Sequence, residues 1–86
     1  MTLEELRAQI DTVDAELLQL FLQRLAVSEQ IGDYKKENGL PVLDAQRQER
    51  KLDELCKLTP ERDREAVCRL FSELMAISRA RQEGTV

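Results

Sequence analysis

The sequence predicts an all-α fold built from three helices, the first of them much longer than the other two. Leu, Ala, Glu, Arg and Gln dominate the composition, and these residues favour helices. Apolar residues between Leu3 and Tyr34 recur at alternating steps of three and four, which is the period of one helix face. Helix breakers are rare, because the 86 residues contain two prolines and three glycines. A chain of this length is predicted to form one domain, residues 1–86.

The first helix is predicted to span about residues 3–37. Thr2 is a suitable N-cap, and Glu5 stands three residues later, where it completes a capping box. Asn38-Gly39 is a C-terminal stop signal, and Pro41 reinforces it. A helix of this length extends for about 50 Å, which is far longer than any other predicted element.

Two shorter helices are predicted after a short extended link at residues 41–43. Asp44 is a suitable N-cap for the second helix, over residues 45–58. Thr59 and Pro60 are interpreted as the cap and first residue of the third helix, over residues 60–83, because proline is favoured at the first helical position. The second helix is expected to fold back along the first and to cover less than half of its length.

Part of the apolar face of the first helix is therefore expected to lack a partner within the chain. We call this face the apolar stripe, and its members are Leu3, Leu6, Ile10, Val13, Leu17, Leu20, Val27, Ile31 and Tyr34. A second copy of the chain, related by a two-fold axis, is the simplest cover for it. The sequence thus predicts a homodimer, which also suits a core too small to be stable alone.

Charge and hydropathy argue against several classes of protein. The net charge of −4 disfavours a nucleic-acid-binding protein, which is usually basic. No apolar run approaches the roughly 18 residues of a membrane span, and the N-terminus lacks the pattern of a signal peptide. We therefore expect a cytoplasmic protein that binds neither nucleic acid nor membrane.

Composition also restricts the chemistry. The chain has no histidine, so neither a Ser–His nor a Cys–His nucleophile can be built. Cys56 and Cys68 lie on different predicted helices without a CxxC pair, and they are predicted to be small buried apolar residues rather than a disulfide or a metal site. Any reaction must then depend on charge, hydrogen bonds and shape, and we predict no metal and no cofactor.

Cations interrupt the face of the first helix. Arg24 occupies a position on the apolar stripe, where a positive charge is costly unless a negative group meets it. Lys35 lies three turns further along, within about 20° of Arg24 around the helix axis. Arg7 points about 100° away from Arg24, so it is poorly placed for the same pocket. In a two-fold dimer, Arg7 could instead reach the pocket of the neighbouring chain.

The other two predicted helices add polar residues to this pocket. Arg47 and Gln48 lie one turn into the second helix, just after Asp44. Ser78 and Gln82 are four residues apart on the third helix and therefore stack on one face. Hydrogen-bond donors of this kind suit a small anion whose carboxylates arginine can bind in a bidentate manner. Each residue also has a simpler interpretation as a cap, a local ion pair or a solvated side chain, so periodicity alone predicts a helical dimer and leaves the anion pocket a hypothesis.

The order and spacing of these residues resemble the all-helical class of chorismate mutases over essentially the whole chain. The residues that carry the resemblance are Leu6-Arg7, Ile10-Asp11, Asp14, Arg24, Gly32, Lys35, Pro41-Val42-Leu43-Asp44, Arg47, Arg69-Leu70-Phe71, Ser78 and Gln82. The resemblance implies an intertwined helical homodimer. It also implies a reaction, the conversion of chorismate to prephenate by a [3,3] rearrangement in aromatic amino-acid biosynthesis.

The resemblance further implies a catalytic role for Lys35, Gln82 and Arg24, and a substrate-binding role for Arg7. Arg24 and the partner's Arg7 would bind the two carboxylates of the substrate. Lys35 would lie between a carboxylate and the ether oxygen, and Gln82 would donate to that same oxygen. Lys35 and Gln82 are thus the groups that would act at the bond that breaks.

The remaining candidates would complete the pocket. Ser78 would assist at a carboxylate, while Asp44 and Arg47 would shape the wall. Gln48 stands where the family commonly has a glutamate that accepts a hydrogen bond from the ring hydroxyl, and its amide oxygen can accept this bond without the help of charge. Two alternatives stay open: an isochorismate-pyruvate lyase of the same fold, and a non-catalytic helical dimerisation or regulatory module.

Overall fold

Three α-helices and one short 3-10 turn make up residues 1–84, which are the residues that the computed structural model describes. Helix α1 spans Leu3–Glu37, α2 spans Ala45–Leu58 and α3 spans Arg64–Glu83, with the 3-10 turn at Glu61–Asp63 between the last two. The described range contains no β-strand. The prediction of an all-α chain with a very long first helix is confirmed.

Local capping explains both ends of α1. The Oγ1 atom of Thr2 accepts a hydrogen bond from the backbone N–H of Glu5 at 3.1 Å, as the capping interpretation predicts. At the other end, the side-chain amide of Asn38 donates to the carbonyl of Tyr34 at 2.8 Å. Gly39 then takes a left-handed conformation with φ of 65°, which only glycine adopts without cost, and the helix ends.

The connection between α2 and α3 corrects one prediction. Asp44 caps α2 as expected, because its Oδ1 atom accepts from the backbone N–H of Arg47 at 3.0 Å. However, Pro60 is extended, with ψ of 143°, and α3 begins only at Arg64. The Thr59 hydroxyl donates back to the carbonyl of Leu55 at 2.6 Å, so it closes α2 and does not cap the next helix.

Helix α3 is the centre of the packing, because it lies against both α1 and α2. Helices α1 and α2 do not pack directly on each other, so the prediction that the second helix covers the first is wrong. The apolar side of α2, which is half-buried at Leu52, Leu55 and Cys56, is occupied by α3 instead. Among the helices, α3 alone thus covers the second half of α1.

The apolar stripe remains open. Each of its members keeps between 39 % (Ile31) and 62 % (Tyr34) of its surface exposed, and Met75 is the one buried apolar side chain among residues 1–84. The molecule is elongated, with extents of 54 × 26 × 16 Å, because half of α1 extends beyond the other helices. Within the same residues, no helix is both long enough and apolar enough to cross a membrane.

Candidate active site

A cleft of about 380 Å³ opens where α1, the link before α2, α2 and α3 meet. It gathers seven of the residues that the sequence singled out: Arg24, Lys35, Asp44, Arg47, Gln48, Ser78 and Gln82. They come from all three helices and lie up to 58 positions apart in the chain (82 − 24 = 58). The fold therefore assembles these residues into one concave site.

Lys35 forms the best-defined contacts of the cleft. Its ammonium donates to the carbonyl of Val42 at 2.7 Å and to the Oε1 atom of Gln82 at 2.8 Å. These two bonds join α1 to the link and to α3. An ammonium has three N–H donors, so one of them remains for a group that enters the cleft.

A chain of hydrogen bonds continues from Gln82 along α3. Because Lys35 takes the amide oxygen, the amide nitrogen of Gln82 is turned the other way, and it donates to Ser78 Oγ at 3.3 Å. The Ser78 hydroxyl in turn shares a hydrogen bond of 2.6 Å with the hydroxyl of Ser28. Ser28 is only 3 % exposed, so this chain of bonds ends on a rigid, buried anchor in α1. The second amide N–H of Gln82 is left to face a ligand.

Arg24 lies half-buried at the other side of the cleft. Its Nη1 atom donates to the carbonyl of Leu74 at 3.2 Å, which holds the guanidinium against α3. Neither Arg24 nor Lys35 forms an ion pair with any of residues 1–84. Two cations without carboxylate partners, in a half-buried cleft, favour the binding of an anion.

The α2 side of the cleft adds further positive charge. Arg47 is exposed there, and Lys51 and Arg79 also line the cleft, although sequence reasoning missed both. Asp44 is the one carboxylate among the lining residues, and it is engaged as the cap of α2. The cleft is thus cationic in a chain whose net charge is −4.

Three polar lining residues escaped the sequence analysis, and the spacing of the helices contains a signal for two of them. Ser28 lies one turn after Arg24 on α1, and Lys51 lies one turn after Arg47 on α2. Arg79 follows Ser78 directly, and it was missed because neighbouring residues on a helix ordinarily point in different directions.

Arg7 lies outside the cleft of its own chain. It is exposed on the free half of α1, seventeen positions before Arg24 (24 − 7 = 17). Seventeen residues of helix correspond to about 25 Å, which is far beyond the reach of an arginine side chain. The expectation that Arg7 does not serve its own pocket agrees with this position.

An all-helical chain with a cationic cleft and no histidine is suited to bind a small anion and to act on it through hydrogen bonds. Residues 6–83 match the family described as chorismate mutase type II, and the chain belongs to this family. The family resemblance stated from the sequence is confirmed.

Several curated relatives are similar to this chain, and two of them carry chorismate mutase in their names. A T-protein of Haemophilus influenzae is 44 % identical over 46 residues, which cover 54 % of this chain and 12 % of that protein. A chorismate mutase of Methanocaldococcus jannaschii is 28 % identical over 83 residues, which cover 94 % of this chain and 84 % of that protein. A bifunctional chorismate mutase/prephenate dehydratase of Aquifex aeolicus is 32 % identical over 59 residues, which cover 69 % and 16 % respectively. The chain thus spans most of the Methanocaldococcus jannaschii protein but only a small part of the other two. No solved structure matches it.

Proposed function

We propose that this chain converts chorismate to prephenate, as a step of aromatic amino-acid biosynthesis, in the cleft between its three helices. The observation that carries the proposal is the Lys35–Gln82 pair, held at 2.8 Å within a cleft that also contains the unpaired Arg24. Each of the two paired side chains keeps an N–H donor for which residues 1–84 provide no acceptor. Both donors can therefore act on one oxygen of a bound substrate.

The reaction is an intramolecular [3,3] rearrangement, in which the ether C–O bond of the substrate breaks while a new C–C bond forms. Negative charge develops on the ether oxygen in the transition state. The free N–H groups of Lys35 and Gln82 would stabilise this charge more than they stabilise the ground state, which is what lowers the barrier. No proton changes place, so the absence of histidine and of a general base is compatible with the chemistry.

Binding of the two carboxylates supplies the second part of the rate enhancement. Arg24 would bind one carboxylate in a bidentate manner, and Ser78 would add a hydrogen bond. Arg47 extends the positive wall on the α2 side, and Gln48 would accept a hydrogen bond from the ring hydroxyl. A substrate held at both ends keeps its enolpyruvyl arm folded over the ring, which reduces the entropy lost on the way to the transition state.

A homodimer in which the partner's Arg7 completes the cleft belongs to the same proposal. Its support is the open apolar stripe, because nine apolar side chains on one helix face stay exposed in the single chain. A contiguous apolar surface of this kind is typical of a protein interface, and a two-fold contact would bury the stripes of both chains together. Sedimentation at micromolar concentration tests this part, since a stable folded monomer would contradict it.

Incubation of the purified chain with chorismate tests the reaction itself. Prephenate is the expected product, and its formation can be followed as the loss of chorismate together with acid conversion of the product to phenylpyruvate. A parallel incubation with isochorismate tests the alternative lyase, whose product would be pyruvate. Release of pyruvate without any prephenate would contradict the proposed reaction and support the lyase. If neither substrate were turned over, the non-catalytic module would be the remaining interpretation.

A further inference from the structure

Cys56 and Cys68 face each other where α2 packs on α3. Their Sγ atoms lie 2.9 Å apart and share a hydrogen bond, although the residues are twelve positions apart in the sequence. Both are free thiols, and both are half-buried rather than fully enclosed. The proposed reaction uses neither of them, because neither lines the cleft.

We propose that Cys56 and Cys68 form a reversible dithiol–disulfide pair, a modification site for a low-molecular-weight disulfide such as oxidised glutathione. A disulfide bond is about 2.0 Å long, so the two sulfur atoms need to approach by less than about 1 Å. The backbone around them is held in place by Arg64, whose Nε atom donates to the carbonyls of Cys56 and Thr59 at 3.1 Å each. The helices therefore present the two thiols to each other before any oxidant arrives.

The exchange proceeds in two steps. A thiolate of the pair attacks one sulfur of oxidised glutathione, the S–S bond of the reagent breaks, and one glutathione thiolate leaves. The second protein thiolate then attacks the protein sulfur of the mixed disulfide and expels the other glutathione. In sum, two protein thiols are oxidised, one glutathione disulfide is reduced to two glutathione molecules, and the two thiol protons pass to them.

The Cys68 thiol is held in its protonated form at neutral pH. The hydrogen bond with Cys56 raises the pKa of the Cys68 thiol above its ordinary value of 9.0, and desolvation and the charge of a Cys56 thiolate act in the same direction. Since the thiolate is the attacking species, Cys68 itself attacks disulfides only slowly at neutral pH. This behaviour is typical of a structural disulfide that forms under oxidising conditions, and not of a catalytic thiol.

The bond would join α2 to α3 through the intervening turn. Cross-linking residues twelve positions apart removes conformational freedom from the unfolded chain, and this stabilises the folded one. Neither thiol lines the cleft: its nearest lining residue on α2, Lys51, is about 7.5 Å from Cys56 along the helix axis, and its nearest on α3, Met75, is about 10 Å from Cys68. The oxidised protein is therefore expected to be more stable and equally active.

Treatment of the wild-type chain with excess oxidised glutathione tests the site. We expect a product whose intact mass is lower by two hydrogen atoms, a cross-linked peptide pair containing Cys56 and Cys68, and a Tm higher by at least about 5 °C that returns on reduction. Cys56→Ser and Cys68→Ser serve as matched controls, and each should stop at the mixed disulfide with glutathione.

Three results would overturn the proposal. They are a stable mixed disulfide in the wild-type chain, a cross-link between two chains, and thiols that stay free under conditions that modify the single-serine variants. An internal disulfide that leaves Tm unchanged would refute the stabilising role. Because the readouts are mass and Tm, the outcome does not depend on whether the chain acts on chorismate.

Discussion

Gly32 of α1 lies directly against the backbone of Gln82 in α3. A Cβ atom at position 32 would lie 2.7 Å from the Cα atom of Gln82 and 2.8 Å from its carbonyl oxygen. The two helices therefore touch backbone to backbone, one turn before Lys35. This contact places the Gln82 amide within hydrogen-bond distance of the Lys35 ammonium, so a residue without a side chain sets the geometry of the candidate site.

Gly32→Ala is expected to lower kcat/KM by about tenfold or more, because the added methyl group must push α3 away from Lys35. The same strain should reduce the free energy of unfolding by about 1–3 kcal/mol. Gly39→Ala is the matched control: its Cβ meets no atom within 4 Å, while the φ of 65° makes the substitution strained. This control should lose stability yet keep its kcat/KM, and a Gly32→Ala variant with full activity would contradict the role of the contact.

Lys35→Ala is expected to reduce kcat/KM by at least about 3 kcal/mol of transition-state stabilisation, in line with the loss of a key donor to a developing oxyanion. Steady-state kinetics with chorismate measure this effect. The neighbouring Lys36 is exposed and lies outside the cleft, so Lys36→Ala should change the rate by no more than about twofold. Activity of Lys35→Ala within a few-fold of wild type would remove Lys35 from the mechanism.

Arg24→Leu should abolish activity and leave the fold intact or more stable. The substitution removes the proposed carboxylate ligand, and it also replaces a half-buried unpaired cation by an apolar side chain. Thermal unfolding followed by circular dichroism, together with the activity assay, separates the two effects. If the variant instead unfolds, Arg24 has a structural role through its bond to the carbonyl of Leu74.

Subunit mixing tests whether Arg7 serves the neighbouring chain. Arg7→Ala and Lys35→Ala are each expected to be inactive alone. In a mixed dimer, the site of the chain that keeps Lys35 would receive an intact Arg7 from its partner. One of the two sites is then complete, and the other lacks both residues. Random exchange makes about half of the dimers mixed, so about a quarter of wild-type activity should return. If Arg7 acted within its own chain, no combination would contain a complete site, and mixing would restore nothing.

The ends of the helices were largely predictable, because capping depends on residues only a few positions apart. Thr2, Asp44 and the Asn38-Gly39 pair each make the local bonds that their types predict. The start of α3 was not predictable by the same reasoning. Pro60 is compatible with a first helical turn as well as with an extended position. The Thr59 hydroxyl donates to the carbonyl of Leu55 in the preceding helix instead of capping the next one.

Much of the candidate site was also predictable, but not its internal contacts. Arg24 and Lys35 share a face by helix geometry alone, whereas Ser28 became visible only through its bond to Ser78. The pairing of Cys56 with Cys68 had no signal in the spacing either. Such contacts depend on which face of one helix meets which face of another, and many alternatives have similar local energies.

The sequence by itself determined the number and order of the helices, the length of the first two, and the set of candidate donors. These features follow from periodicity and from hydrogen bonds that span about five residues or fewer. Only the tertiary structure decided that α3 lies on both other helices and that Gly32 meets Gln82. The physical reason is that close packing of distant side chains, and not local propensity, selects one arrangement of the same three helices.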